Sequence, residues 1–420
     1  AHSQSNKTRR QVFRRRGEMS LFTVSRRNFL KATGLAGGAL ILGFSTANAA
    51  EKNSAQDFSP NVYLSIHPKD GVIVYLPVTE VGQNIRTALV MAIAEELDIQ
   101  PDTVKIIQGK LDERFGGQTT GGSGSIRRHF LKMRQSGAAA REMIVKATAK
   151  KFAVSVDEIK TADGEVMLPG GKKIPYSTLV ELAAKEEIPT EPKLKDSSDF
   201  KLIGKSIKNV DLKNLVSGNT DYGIDAAANV PNLHYAAVIK PLVYKSKIHS
   251  FDASEALKNP GVVQVFQFKE NIAVVAKNTW TAIKACELVK VKWDTASGSI
   301  TSSDEMEKSA FSSMQKKMKV ISKKGDFEGA YQKAVSKFSL QCTLPTIVHA
   351  PMEPPNCSAI VNKDSAEIWV GCQVQDKMRR GFLEQITGLP LNKITYHSMR
   401  IGGSFGRRLK TDYLEDCIAI

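Results

Sequence analysis

The sequence predicts a mixed α+β fold divided into two or three domains. Three observations carry that expectation. The first block alternates hairpin and helix patterns, the middle block alternates short strands with capped helices, and glycine-rich loops run directly into helices. A chain of 420 residues has room for that many domains at about 100–200 residues each. Its 42% hydrophobic and 24% charged residues are the composition of an ordinary globular protein with a sizeable core.

In chain order, "NVYLSIHPKDGVIVYLPV" reads as a hairpin turning at Pro68-Lys69-Asp70-Gly71. "NIRTALVMAIAEELD" places Ile85, Leu89, Ile93 and Leu97 at helical spacing and leads to a strand, "VKIIQG". The loop "RFGGQTTGGSGSIRR" precedes a long helix over about His129 to Phe152. A second hairpin turns at Asp163-Gly164, and "YSTLVELAAKE" is a short helix. "IPTEPKLKDSSD", with two prolines and mixed charge, reads as a linker and domain boundary. The middle block then gives strands at "HYAAVIK", "VVQVFQF", "NIAVVA" and "VKVKW", with helices at "FDASEALKNPG" and "WTAIKACELVK". Beyond a polar stretch from Thr301 to Lys324, strands are expected at "FSLQCTL", "NCSAIV", "AEIWV" and "NKITYH". Helices are expected at "KMRRGFLEQITG" and "TDYLEDCIAI".

The formal charge of +16 suggests nucleic acid until it is located. Residues 1–49 hold nine Lys/Arg against one acid, which is half of that excess. The remaining lysines are scattered beside Asp and Glu, as on solvated faces, so no nucleic-acid track is expected. "SRRNFLKATGLAGGALILGFSTANAA" has a basic start, a Gly-rich apolar run and a small-residue exit at Ala47-Asn48-Ala49. That is the layout of a cleavable export signal, and S-R-R-x-F-L-K resembles the twin-arginine motif of the route that carries folded proteins. Met19 is then a natural start, residues 1–49 are an upstream extension and signal peptide, and the expected location is the periplasm.

The five cysteines, Cys286, Cys342, Cys357, Cys372 and Cys417, show neither a C-x-x-C pair nor iron–sulfur or zinc spacing. Most are expected to be small buried hydrophobes. No iron–sulfur cluster is expected in this chain. His349 and Glu353 in "HAPMEPPNCSA" are four residues apart, but Pro351, Pro354 and Pro355 forbid the helix that would align them on a metal. The segment reads as a rigid turn with Glu353 solvated.

The chemical signal lies in the loops. In "TTGGSGSIRR", Gly121, Gly122 and Gly124 allow close backbone approach, and Ser123, Ser125 and Arg127 add donors ahead of a helix N-terminus. "MRIGGSFGRRL" repeats the logic with Gly402, Gly403, Ser404, Phe405 and Gly406, followed by Arg407 and Arg408. Neither loop fits the Walker or the dinucleotide spacing. Gln83, after Gly82 in "TEVGQNIRTAL", stands just before a helix.

Together, "EVGQNIRTALVMAIAEELD", "GGSGSIRRHFLKMRQSGAAAREMIVKATA", "YGIDAAANVPNLHYAAVIKPLV", "HAPMEPPNCSAIV" and "IGGSFGRRLKTDY" resemble the large subunit of bacterial molybdenum hydroxylases. The likeness is to the isoquinoline 1-oxidoreductase beta-subunit and exported aldehyde dehydrogenase type, within the xanthine dehydrogenase/aldehyde oxidase superfamily. It implies a molybdenum–molybdopterin cofactor, commonly the cytosine dinucleotide form. Gly82 and Gln83 match a cofactor contact. Gly121 to Ser125, with Arg127, match the pterin phosphate loop, and Gly402 to Gly406, with Arg407, match the G-G-x-F-G loop.

The implied fold is an α/β hammerhead, residues 197–300, flanked by a first molybdopterin-binding segment at 50–196 and the start of a second at 301–420. The implied reaction is oxidation of an N-heterocycle or aldehyde with oxygen from water. Electrons would leave to a small subunit carrying two 2Fe–2S clusters, with a c-type cytochrome as acceptor. Glu353 is a candidate substrate contact. No catalytic residue is assigned, because the family's general-base glutamate is expected beyond Ile420, in a C-terminal remainder or a separate chain. Three departures stand out: Leu409 where a substrate-contacting glutamate is usual, Asn84 where glycine is usual, and the missing base region. They leave open a non-catalytic periplasmic binding or scaffold protein. A nucleotide-binding enzyme would need glycine spacing that is absent.

Overall fold

A computed structural model describes residues 40–42, 62–228, 230–243, 245–296, 302–316 and 319–420. The chain divides into two compact units, residues 1–219 and 220–420. Apart from Leu40–Leu42, the export-type stretch lies outside the described residues.

The first unit is built on a four-stranded sheet ordered β1-β2-β3-β4, from Leu40–Leu42, Leu64–His67, Gly71–Leu76 and Lys105–Gln108. β2 and β3 form the expected hairpin, and β3 pairs parallel to β4 through helix α1, Ile85–Leu97. The four predicted apolar positions of α1 are all buried, and Asp98, at φ 53, ends the helix in the left-handed region. Helix α2 runs Ser125–Phe152, one turn earlier than its expected start, so Ser125 and Arg127 lie in its first turn. The "SGAAA" stretch lets α2 press against α1: a Cβ at Gly137 would fall 2.8 Å from the Ile93 carbonyl oxygen. A three-stranded meander follows, β5 Lys160–Ala162, β6 Glu165–Met167 and β7 Lys173–Pro175, and then α3, Val180–Ala183.

The stretch expected to be a free linker is instead fastened to this unit. Buried Glu95 accepts the backbone N–H groups of Lys201, Leu202 and Ile203, and Lys195 reaches Asp98 at 2.6 Å. Burial alone would raise the Glu95 carboxyl, but these three hydrogen bonds and Lys195 outweigh it and lower it. Glu96 accepts the Lys195 N–H within the linker at 3.2 Å and Glu95 those of the residues just after it, so the end of α1 carries these backbone polar groups, and the compact unit runs on to Asn219.

The second unit begins with strands β8 Tyr235–Ile239, β9 Lys247–Asp252, β10 Val262–Phe268, β11 Asn271–Ala276 and β12 Lys290–Asp294. They form an antiparallel sheet β10-β11-β8 and a ribbon β12-β9. Helices α4, Ser254–Leu257, and α5, Thr279–Cys286, cover them over a core of Ala253, Ala256, Ile272, Val274, Ala285 and Val289. Helices α6, Ser303–Met314, and α7, Phe327–Lys333, follow; a capping box between Ser302 and Glu305 starts α6. Its last sheet has order β13-β14-β15, from Cys357–Val361, Ala366–Val370 and Ile394–Ser398. β14 and β15 are parallel, joined through α8, Gln375–Lys377, and α9, Leu383–Thr387. Helix α10, Asp412–Ala419, packs beside β13.

Three expectations are corrected here. "FSLQCTL" forms no strand among the described residues: it finds no pairing partner, and Phe338 and Leu344 are 93% and 90% exposed. "KMRRGFLEQITG" is not one helix, because Arg380 (ψ 37) and Gly381 (φ 88) leave helical geometry between α8 and α9. Of the cysteines, only Cys372 is buried; Cys286, Cys357 and Cys417 are half-buried and Cys342 is exposed.

Candidate functional site

In the first unit, the two candidate loops are joined. The turn Thr79–Asn84 wraps around Glu80, whose buried carboxylate accepts the backbone N–H groups of Gly82 (2.8 Å), Asn84 (3.0 Å) and Arg86 (3.2 Å). Glu80 thus satisfies the start of α1 in place of a cap by Asn84 itself. The Gln83 amide folds back on the same turn, accepting from Val81 N at 2.7 Å and donating to the Thr79 carbonyl at 3.3 Å. Thr120 Oγ1 donates to that same carbonyl at 3.0 Å, and so fastens the glycine-rich loop to the Gln83 turn. Asn84 stands at φ 65, the left-handed conformation that a glycine would supply, and asparagine tolerates it. The departure from glycine therefore leaves the backbone path intact.

Gly122 (φ 58) and Ser123 (φ 50) are consecutive left-handed residues, and the Gly124 N–H closes the turn on the Gly121 carbonyl at 3.1 Å. Gly124 is the N-cap of α2 and offers no side chain to the helix, and the first turn contains no acid. The leading N–H groups of a 28-residue helix thus have no side-chain cap, at its positive end. No atom lies within 4 Å of a Cβ built on Gly82 or Gly122, so the loop crest is open. Behind it, buried His129 ties α2 to the loop through the Gly117 carbonyl (2.9 Å) and meets the Tyr63 hydroxyl at 3.3 Å. Arg128 Nη2 donates to the Thr119 carbonyl, while its buried Nε has no partner. Arg127 is exposed.

The second loop, in the second unit, is organised differently. Glu353 is 8% exposed, and its carboxylate is the hub. It accepts from Gly402 N (2.7 Å), Ile224 N (3.1 Å) and Asn356 Nδ2 (2.8 Å), and Arg408 pairs with it at 3.0 Å. The expectation of a solvated Glu353 is thus overturned, and its oxygens are occupied by the protein itself. The chain closes so tightly that a Cβ on Gly402 would fall 2.7 Å from Glu353 Cβ. Fully buried Arg408 also donates to the carbonyls of Gly371, Glu353 and Pro354.

Ser404 is buried and donates to Gln373, and Phe405, at φ 53, is 74% exposed. Arg407 makes a two-pronged pair with Asp412 at 2.8 Å on each arm, and Lys240 bridges Asp412 and Asp416. Burial alone would raise the Asp412 carboxyl, but the bonds from Arg407 and Lys240 hold it at about 2. Leu409 is half-exposed at 43%. Among the described residues, no group of three or more His, Cys, Asp or Glu is placed to hold a metal ion.

The structure therefore joins Gly82, Gln83 and Gly121–Ser125 in one unit, and gathers Glu353 and Gly402–Arg407 in the other. Glu80 and Lys240 were missed by sequence reasoning, and Arg408 was named there without its buried structural role. Glu80 has a legible signal: an acid placed just ahead of Gly-Gln and a helix start.

Residues 14–227 match one molybdopterin cofactor-binding domain family and residues 311–420 match another. The chain is 29% identical over 422 residues to the membrane-bound aldehyde dehydrogenase (pyrroloquinoline-quinone) of Gluconacetobacter polyoxogenes, covering 95% of this chain and 54% of that protein. It is 27% identical to the isoquinoline 1-oxidoreductase subunit beta of Brevundimonas diminuta, covering 94% of this chain and 58% of that one. The chain thus spans little more than half the length of these relatives. Among solved structures, quinoline 2-oxidoreductase from Pseudomonas putida 86 aligns over 51% of this chain and 33% of its own, with a TM-score of 0.36 at 16% identity. The first family match alone covers half of the sequence, so the chain belongs to the molybdopterin cofactor-binding domain proteins.

Proposed function

We propose that this chain is the cofactor-cradling portion of a molybdenum-hydroxylase-type large subunit. It would be exported by the twin-arginine route and would oxidise an N-heterocycle or an aldehyde. The observation that carries this is the join between the Gln83 turn and the uncapped α2 N-terminus, through Thr120 and Thr79. A pyrophosphate needs backbone N–H donors, positive potential and a crest without side chains. Gly121 to Ser125 supply the first two, and Gly122 the third. Gln83, on the adjoining turn, has an exposed amide whose longer bond to the Thr79 carbonyl would be exchanged for cofactor atoms. Arg127, exposed in the first turn, would add charge to the phosphates.

The bound cofactor, in this reading the cytosine dinucleotide form, supplies the two-electron redox chemistry. This chain's residues bind and orient it. In the second unit, the loop Gly402–Gly406 presents exposed Phe405 on a base immobilised by Glu353 and Arg408, a rigid surface that would position a ligand. The block from about Asp211 to Asp294 would be the hammerhead domain, within boundaries at 50–196, 197–300 and 301–420. The general base and the C-terminal remainder would come from polypeptide outside these residues. Electrons would pass to a small subunit with two 2Fe–2S clusters and on to a c-type cytochrome.

One observation favours a second reading, a binding or scaffold protein without chemistry. Glu353 and Arg407 are both consumed by partners within the unit. Metal and cofactor analysis of the protein purified from its source cells separates the readings. Molybdenum near one atom per chain, with CMP released on acid hydrolysis, is the expected result. Protein lacking molybdenum, or carrying a quinone in its place, overturns the proposal. In the complete enzyme, Gly122→Val puts a β-branched residue at φ 58 on the loop crest and should cut molybdenum content several-fold. Unchanged molybdenum in that variant would sink the phosphate-loop assignment.

A further inference from the structure

The second unit holds two thiols that neither loop uses. Cys357 opens β13 and Cys417 lies on α10, and the two are in contact. The Cys417 thiol donates to the Cys357 carbonyl at 3.2 Å, and the Cys357 thiol donates to the Ser358 carbonyl at 3.7 Å. Both are half-buried and free. The third cysteine nearby, Cys372, is fully buried, and its sulfur is engaged by Val374 N at 3.3 Å and the Arg408 carbonyl at 3.7 Å.

We propose that Cys357 and Cys417 form a reversible disulfide that staples α10 to β13. The consequence bears on the loop 402–406, because α10 anchors its downstream end. Asp412 of α10 holds Arg407 in a two-pronged pair, and the Tyr413 hydroxyl donates to the Gly371 carbonyl that Arg408 also uses. A staple one turn further along α10 would fix that anchor and so stiffen the glycine loop.

The oxidant is a small-molecule disulfide. The neighbouring Cys357 thiol lowers the Cys417 thiol while its own is raised, so Cys417 ionises first. The Cys417 thiolate attacks one sulfur of the oxidant, forming a mixed disulfide and releasing one thiolate. Cys357 then loses its proton to water and attacks the Cys417 sulfur, expelling the second thiolate. Two protein thiols are oxidised to one disulfide, and one oxidant disulfide is reduced to two thiols.

The test equilibrates the 420-residue chain in oxidised and reduced glutathione, followed by alkylation and tryptic mapping. No Lys or Arg separates Cys342 from Cys357, so the exposed Cys342 is first replaced, Cys342→Ser. The expected result is a linked pair of peptides joining Cys357 to Cys417, lost again in excess reduced glutathione and absent in Cys417→Ser. Closing the loop 357–417 should raise the Tm of the second unit by about 10 °C over the reduced form. Cys417→Ser should show no such redox-dependent shift, a comparison that holds even if the variant starts from a lower Tm. Three results would each overturn the proposal. They are four alkylatable thiols in folded, oxidised Cys342→Ser protein, a link through Cys372, or an equal redox shift in Cys417→Ser.

Discussion

The two glycine loops look alike in sequence and do opposite things in the fold. Around Gly82 and Gly122 a Cβ would meet nothing within 4 Å, so these glycines serve backbone conformation and leave an open crest. At Gly402 a Cβ would strike Glu353 at 2.7 Å, so there glycine serves packing. The charges divide in the same way. The first loop ends on helix N–H groups without a side-chain cap, whereas the second is built over a buried Glu353–Arg408 pair and has its next arginine bound to Asp412. The first leaves its helix N–H groups open at the crest, and the second holds its own backbone still. Glycine-rich patterns thus report close approach without saying whether ligand or protein approaches.

The sharpest way to break this comparison is Arg408→Met. It leaves the Glu353 carboxylate, 8% exposed, without its cation, and should cost about 3–5 kcal/mol of the second unit's stability by urea unfolding. Adding Glu353→Gln to that variant should recover part of the loss, since the stranded charge is what costs. A loss below about 1 kcal/mol would mean that the second loop has no rigid base. The next effect separates the glycines themselves. Gly402→Ala forces a backbone shift against Glu353 and should cost about 1–3 kcal/mol. In Gly124→Ala the added carbon meets mainly the far end of the Arg128 side chain, at 2.5 Å, which can swing away. Swinging away gives up the Arg128 bond to the Thr119 carbonyl, so that variant should cost no more than about 1 kcal/mol. Equal losses in the two alanine variants would erase the distinction between an open loop and a packed one.

How much of this was legible depended on range along the chain. The α1 positions Ile85, Leu89, Ile93 and Leu97 are buried as their spacing foretold, because a local period reports a local face. The hairpin turns at Pro68–Gly71 and Asp163–Gly164 were equally plain. Glu353 was misread because what buries it comes from Ile224, Gly402 and Arg408, up to 129 residues away. The "linker" was misread for the same reason: its prolines and charges are those of a loop, but Glu95 and Glu96 reach across from α1 to hold it. "FSLQCTL" has a strand's alternation and no strand beside it, and alternation alone cannot supply the partner that the backbone requires.

The smallest effect concerns the salt bridge that sets the two arginine-bearing loops apart. The Asp412 carboxyl is held at about 2, below its ordinary 3.8, because Arg407 and Lys240 overcome the cost of its burial. A depressed carboxyl contributes stability that is fully present above the unfolded value. That stability drains away as pH falls from about 4 towards about 2. Asp412 is 40% exposed, so solvent screening limits the contribution to under about 1 kcal/mol. Asp412→Asn should therefore leave stability at pH 7 lower by no more than that, and flatten its fall between pH 4 and pH 2. Arg407→Ala should copy the flattening only in part, since Lys240 still reaches Asp412 at 3.2 Å. If Arg407→Ala leaves acid stability untouched but lowers molybdenum content in the complete enzyme, Arg407 belongs to the cofactor and not to α10. The second loop would then receive its ligand as directly as the first.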